Sequence, residues 1–468
     1  MTGPHSLPRL VVAGLSGDSG KTLVSLALLL LARAAGLPVR AFKKGPDYID
    51  AAWLTWASGH PARNLDTFLM GFQRAVSSFG RHALPAGLNL IEGNRGLYDG
   101  ADPQGTHSTA ELAKALCAPV LLVLNARKVT RTVAASVLGC QRLDPGVQIA
   151  GVILNQVAGR RHERVLREAI EAVCGIPVLG VLPRASSDEL LPGRHLGLVP
   201  PQEHPRLEEL THTLMDLVKG RLDLDRLLTL ARQAPALNVP VEGSPELPDG
   251  QGLRIGYLKD SAFTFYYPEN LEAIEAAGAA LVPVSALSAI ALPADLDALY
   301  IGGGFPETHG PALSANRPFL EAIRAAAGGL PIYAECGALM LLSRAMLWQG
   351  QRYPMAGVLP FQVELCPTPQ GHGYTLLSVD RENPFFPTGL ALRGHEFHYS
   401  RILLEGDPLP TACAVQRGAG CYHGRDGVVL GNVWAGYTHL HALATPEWAA
   451  GFLGAARRFN QQRCRTSP

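Results

Sequence analysis

Charge of one sign is what this sequence has least of. Its 41 Lys and Arg face 40 Asp and Glu, a formal net charge of +1. That excludes the basic excess on which bulk nucleic-acid binding depends. Long apolar runs are also missing. The richest, Leu26 to Ala32, falls far short of the ~20 residues that cross a bilayer; it reads as a buried helix, and no membrane association is expected. The eight cysteines include no C-x-x-C pair, which argues against a zinc site and, in so large a chain, against a disulfide framework. Reduced thiols point to a cytoplasmic setting. Met1 to Arg9 does not read as a signal peptide, because the apolar stretch after it leads into a glycine loop.

What is present is an α/β alternation. With 47% hydrophobic and 17% charged residues the chain is globular, and 468 residues predict two or three domains. Apolar strands are predicted at Leu10–Ala13, Val39–Phe42, Leu88–Ile91, Val120–Leu124, Ile149–Leu154 and Val178–Val181, with helices between several of them. This pattern implies a parallel sheet covered on both faces. Residues 233–252 break the rhythm with four prolines and three glycines and read as a linker. The alternation resumes at Leu253–Tyr257, Ala280–Val284, Ala298–Ile301 and Pro331–Ala334. The expectation is two doubly wound α/β domains: an N-terminal sheet of the phosphate-loop nucleotidase kind over 8–232, and a second over 253–459.

Between the first strand and helix lies Gly14-Leu15-Ser16-Gly17-Asp18-Ser19-Gly20-Lys21-Thr22. Small residues here let backbone N–H groups converge on phosphate oxygens at a helix N-terminus. Gly17, Ser19 and Gly20 would line ATP, Lys21 would reach its outer phosphates, and Thr22 would ligate Mg²⁺. Acids after neighbouring strands, Asp50, Glu92 and Asp99, supply hard oxygens for that metal. Lys43 and Lys44 can hold an anionic substrate or phosphate; the blander alternative is a solvated basic pair. Asn155, ending a strand, can pair with the adenine edge or simply form a turn.

In the second half, Pro331–Ala334 runs into Glu335-Cys336-Gly337 and then a helix. A thiol at such an elbow is held over the sheet, with its pKa expected to be lowered by the helix N-terminus. Gly302-Gly303-Gly304 follows another strand, and the Gly303 and Gly304 amides can form an oxyanion hole. His439 and His441 are the candidate bases. Cys117, Cys140 and Cys174 lack this setting and read as core.

Together these segments resemble the cobyrinic acid a,c-diamide synthase family. The resemblance rests on Lys44-Gly45-Pro46-Asp47-Tyr48-Ile49-Asp50, Asn64-Leu65-Asp66, Gly96-Leu97-Tyr98-Asp99-Gly100, Phe265-Tyr266-Tyr267-Pro268-Glu269-Asn270-Leu271, Tyr333-Ala334-Glu335-Cys336-Gly337 and Arg393-Gly394-His395-Glu396-Phe397-His398-Tyr399-Ser400. It implies an ATPase domain like dethiobiotin synthetase joined to a class I glutamine amidotransferase domain. Cys336 would be the glutaminase nucleophile and His439 its base, while Lys44, Asp47, Tyr48, Ile49, Glu92 and Asp99 would lie on the substrate and metal side. The implied reaction is ATP-dependent amidation, with glutamine as nitrogen donor, of the a- and c-carboxylates of cobyrinic or hydrogenobyrinic acid in cobalamin biosynthesis. Sirohaem and nickel-sirohydrochlorin are alternative acceptors; a homodimer is left open. Four positions depart from the family pattern: Ala338 replaces Gly, His441 stands where many relatives place a triad Glu, and Asn94-Arg95 replaces Val-Met. A MinD-like ATPase switch would leave Cys336 unexplained, and a papain-like hydrolase would leave the phosphate loop idle.

Overall fold

The computed structural model describes residues 4–184, 190–194, 197–241, 243 and 247–466. The chain divides into two compact units, Met1–Gly243 and Ser244–Pro468.

The first unit is built on seven parallel strands in the order Arg63–Leu65, Val39–Lys44, Leu88–Glu92, Arg9–Gly14, Val120–Asn125, Ile149–Val157, Val178–Pro183. Arg9–Gly14 and Leu88–Glu92 are buried at every residue, as expected of strands covered on both faces. The chain leaves Arg9–Gly14 toward one edge of the sheet and, after Leu88–Glu92, crosses to the other. Such a switch opens a crevice at the carboxyl ends of the strands, where ligands of open α/β sheets bind. The helix Lys21–Ala34 starts there.

The second unit holds a ten-stranded sheet. Its parallel half runs Ala280–Val284, Arg254–Leu258, Ala298–Ile301, Ile332–Glu335, Val433–Gly436. Its antiparallel half continues through Arg425–Leu430, Thr411–Arg417, Gly371–Val379, Ala391–His398 and His439–Leu440. The alternation read from the sequence covers the first half and stops before the second, whose strands are joined without helices.

The proline-rich segment is not wholly irregular. Leu237–Asn238 pairs antiparallel with Pro4–His5, and the fully buried Arg9 guanidinium donates to the carbonyl of Pro235 at 2.7 Å. Its residues 242 and 244–246, with Pro245 among them, lie outside the described residues. All eight cysteines are free thiols; Cys140 is buried, but Cys117 is exposed and Cys174 half-buried, so these two are not core as expected. Among the described residues no helix is long and apolar enough to cross a membrane.

Candidate active sites

The phosphate loop closes on itself. Gly20 has φ +96, the left-handed region that favours glycine. A Cβ there would lie 2.1 Å from Asn155 Nδ2, and one on Gly14 would lie 2.0 Å from Ser19 Oγ, so both glycines are required by close approach. Gly17 has nothing within 4 Å. Ser19 Oγ donates to the Ser16 carbonyl at 3.1 Å, and Lys21 Nζ donates to the same oxygen at 2.8 Å. Burial, then the charge of Lys43, holds the Lys21 pKa below its ordinary value. Asn155 donates to the Ser19 carbonyl at 3.1 Å and accepts from the Gln156 amide at 3.0 Å. Its carboxamide is thus anchored on the loop, with one donor and one acceptor position beyond those bonds.

The acids fall into different tasks. Thr22 Oγ1 donates to Glu92 Oε1 at 3.0 Å. Lys43 Nζ, sealed in the same place, bonds Glu92 at 2.8 Å, Asp50, and the Gly93 carbonyl at 3.2 Å. Burial alone would lower the Lys43 pKa, but Asp50 and Glu92 outweigh it and hold the proton firmly. Lys43 is therefore a buried ion-paired residue, not a solvated one. Glu92 is fully buried; its Oε2 lacks a well-formed hydrogen bond, with the Ser25 hydroxyl beside it. Burial, which outweighs the attraction of Lys43, raises its pKa. Asp47 caps the helix Tyr48–Ser58 by accepting from the Asp50 amide at 2.8 Å; Tyr48 and the buried Ile49 form the first turn of that helix. Asp99 accepts from the Gly96 amide at 2.8 Å and closes its own turn. Among the described residues no three His, Cys, Asp or Glu side chains cluster closely enough to hold a metal by themselves. Thr22 and Glu92 meet; Asp50 is committed to Lys43, and Asp99 to its turn.

At the thiol, Cys336 joins the strand Ile332–Glu335 to the helix Gly337–Leu342 with φ 50 and ψ −100. A side-chain-bearing residue at such a φ is strained, and strain of this kind gathers at functional sites. The parallel pairing of Glu335 with Gly436 brings this elbow beside the segment leading to His439, and the Cys336 amide donates to the Gly436 carbonyl at 2.7 Å. A Cβ on Gly337 would lie 3.2 Å from the Gly304 amide nitrogen, and one on Gly303 would lie 2.7 Å from His439 Cε1. The elbow, the glycine turn and the histidine therefore meet. The thiol does not follow the expected lowering: burial, then the charges of Glu307 and Glu335, push its pKa up, against the opposing Gly337 amide.

His439 is held by Glu335. Its Nδ1 lies 3.2 Å from Glu335 Oε2. The same fully buried carboxylate accepts from the Leu440 amide at 3.2 Å, Tyr300 at 3.2 Å and Tyr333 at 3.1 Å. His441, two residues after His439, instead faces Glu269 at 3.5 Å. The ring of His395 stacks on that of His439, with centroids 5.0 Å apart and planes 23° apart. Burial, then the neighbouring His439 and His441, keep the His395 pKa well below its ordinary value.

Residues 10–199 match the CobQ/CobB/MinD/ParA nucleotide binding domain, and residues 254–447 the CobB/CobQ-like glutamine amidotransferase domain. A cobyrinate a,c-diamide synthase of Magnetococcus marinus is 44% identical over 95% of this chain and 96% of its own. Proteins of the same name from Syntrophotalea carbinolica and Archaeoglobus fulgidus are 41% and 37% identical, each over 97% of this chain and 99% of its own. The chain belongs to the cobyrinate a,c-diamide synthase family. It is a glutamine-dependent amide-forming ligase, and its amidotransferase half sets it apart from a MinD-like switch.

In this family member the sequence reading missed Glu335, Asp426 and His395 as site residues. Asp426, fully buried, accepts from the amides of Tyr437 and Thr438 at 3.0 and 3.1 Å, fixing the approach to His439. The one available signal was an acid directly before Cys336. Its partner lies 104 residues away, a pairing no local pattern states.

Proposed function

We propose that the chain amidates the a- and c-carboxylates of cobyrinic or hydrogenobyrinic acid, using ATP and ammonia released from glutamine. The observation that carries the reading is a single chain holding both a strained Cys336 elbow beside a Glu335-supported His439 and a phosphate loop with Lys21, Thr22 and Glu92 at its mouth.

In the second unit the thiol rests protonated, because burial and two carboxylates disfavour a thiolate. Glu335 on Nδ1 sets the His439 tautomer, leaving Nε2 to take the Cys336 proton as sulfur attacks the glutamine amide carbon. The Gly303 and Gly304 amides stabilise the oxyanion. Ammonia leaves with the returned proton, and water then cleaves the γ-glutamyl thioester to glutamate.

In the first unit Lys21 exchanges its bond to the Ser16 carbonyl for a phosphate oxygen of ATP. Glu92, with one oxygen on Thr22 and the other lacking a well-formed bond, suits a divalent cation. Thr22 and Glu92 are the residues that would hold Mg²⁺, and Mg²⁺ would supply charge neutralisation on the phosphates. An acceptor carboxylate oxygen attacks the γ-phosphorus and ADP leaves; ammonia then attacks the acyl carbon and phosphate leaves. Lys44, Asp47, Tyr48 and Ile49 border this reaction on the acceptor side, with Asp47 fixing the helix that carries the latter two. Asn155 meets the adenine edge with the donor and acceptor positions left beyond its bonds to Ser19 and Gln156.

The test is Cys336→Ala. Glutamine-dependent amidation of cobyrinic acid falls by about 10⁴-fold or more, whereas amidation driven by ammonium salts stays close to wild type. Product mass reports each replacement of OH by NH₂. Loss of both activities, or wild-type glutamine use, overturns the division of labour. Running hydrogenobyrinic acid, sirohaem and nickel-sirohydrochlorin in parallel identifies the acceptor.

A further inference from the structure

Two adjacent lysines end the strand Val39–Lys44, and they are served differently. Lys43 is ion-paired with Asp50 and Glu92. Lys44 is only 4% exposed, yet it makes no hydrogen bond or ion pair with any described residue. The carboxylate that acts on it, Asp66, is occupied in capping the helix Thr67–His82, where it accepts from the Phe68 and Leu69 amides. A largely buried ammonium without an anion is costly. Burial accordingly lowers the Lys44 pKa, with Lys43 and Arg95 adding to the effect against Asp66.

A second cation stands at the same place. Asn94 Nδ2 lies 3.1 Å from where Gly45 would carry a Cβ, so the turn after Leu88–Glu92 abuts the residue following Lys44. That turn is pinned by the Asn94 amide on Thr109 Oγ1 at 3.1 Å and by the Gly96 amide on Asp99. Between them Arg95 is exposed, at φ 49, a strained conformation for a side-chain-bearing residue. An aromatic face lies along the helix that Asp66 caps. Thr67, next to Asp66, meets His107 Nδ1 at 3.0 Å, and the His107 ring stacks on Phe72 with centroids 5.7 Å apart. Phe72 is 38% exposed.

We propose that Lys44 and Arg95 form an anion subsite that binds a carboxylate arm of the amidation acceptor, with the exposed Phe72 face packing against the flat ring system carrying that arm. The inference rests on the proposed function and narrows it: the chain selects acceptors that pair an apolar plane with a charged arm beside it. The subsite is distinct from the ATP phosphates, which the loop and Lys21 serve.

The experiment is steady-state amidation of cobyrinic acid by the full chain, with ammonium salt as nitrogen source. Wild type is compared with Arg95→Met, Lys44→Met and Phe72→Ala. Arg95→Met and Lys44→Met each raise the acceptor KM by about tenfold or more, the scale of a lost charge-assisted bond, while the KM for ATP holds. Phe72→Ala raises the acceptor KM by a smaller factor. A raised KM for ATP with the acceptor KM unchanged assigns the pair to phosphate and overturns the inference; so does an unchanged acceptor KM in Arg95→Met, a surface change that leaves folding intact. A wild-type chain that amidates none of the tetrapyrrole acids removes the functional reading itself, whereas an active wild type with indifferent variants removes only this subsite.

Discussion

Glu92 and Glu335 are both fully buried at the ends of parallel strands, and their surroundings are opposite. Glu335 meets His439 and accepts from one backbone amide and two tyrosines. It has little left to do but hold a ring. Glu92 shares Lys43 with Asp50, receives Thr22, and leaves one oxygen poorly bonded. The first arrangement is complete without any ligand, which is what the proposed role of His439 as a base requires. The second has bonding capacity in reserve for cation and phosphate. In the proposed function the first arrangement suits a neutral amide and the second suits charged ligands.

The largest effect that sharpens this contrast is expected from Glu335→Gln. A glutamine cannot favour the same His439 tautomer, and the analogous loss of a triad carboxylate costs about 10⁴-fold. Glutaminase turnover should drop by roughly 10²–10⁴-fold, with ammonium-driven amidation as the control for folding. A change below about tenfold would show that His439 does not depend on its carboxylate. Next comes Glu92→Gln, which should lower ATP-dependent amidation by about 10²-fold, the typical cost of removing one electrostatic contact to a reacting group, and leave basal glutamine hydrolysis untouched. Coupled loss of both activities would break the claim that the two sites are separately organised.

The smallest effect concerns Asp47. Burial, then the charge of Asp50, push its carboxyl up to about 7 from 3.8. An acid raised in the folded state contributes full stability below its unfolded pKa and loses it as pH rises through its folded one. Ligand-free wild type should therefore lose stability between pH 4 and 7 relative to Asp47→Asn, whose side chain can still cap the helix. The expected difference at pH 8 is about 1–2 kcal/mol, below the full ~1.4 kcal/mol per unit because the charge of Lys43 opposes those of Asp50 and Glu92 on Asp47. Denaturant melts at the two pH values measure it; parallel curves would show that Asp47 ionises without cost and belongs to the ligand, not to the helix.

Much of both sites was legible locally. Gly20 must adopt φ +96 where Asn155 comes close, and such glycines announce themselves by spacing. Cys336 sits where an apolar strand turns sharply into a helix, also a local pattern. The acids were legible as a group but not by task. Asp47, Asp50 and Asp99 carry the same letter, yet one caps a helix, one pairs with Lys43 and one closes a turn. The expected low thiol pKa failed because a helix of six residues was set against burial and two carboxylates that the sequence places at 307 and 335 without showing their proximity.

The sequence by itself determined the periodic elements, the phosphate loop, the elbow and the family, because each depends on residues that are neighbours in the chain. Only the tertiary structure decided which carboxylate holds His439, which lysine is left without an anion, and which glycine turn meets the Cys336 elbow. Those choices follow from strand order: a parallel pairing such as Glu335 with Gly436 joins residues a hundred positions apart, and no local preference encodes which strand lies beside which.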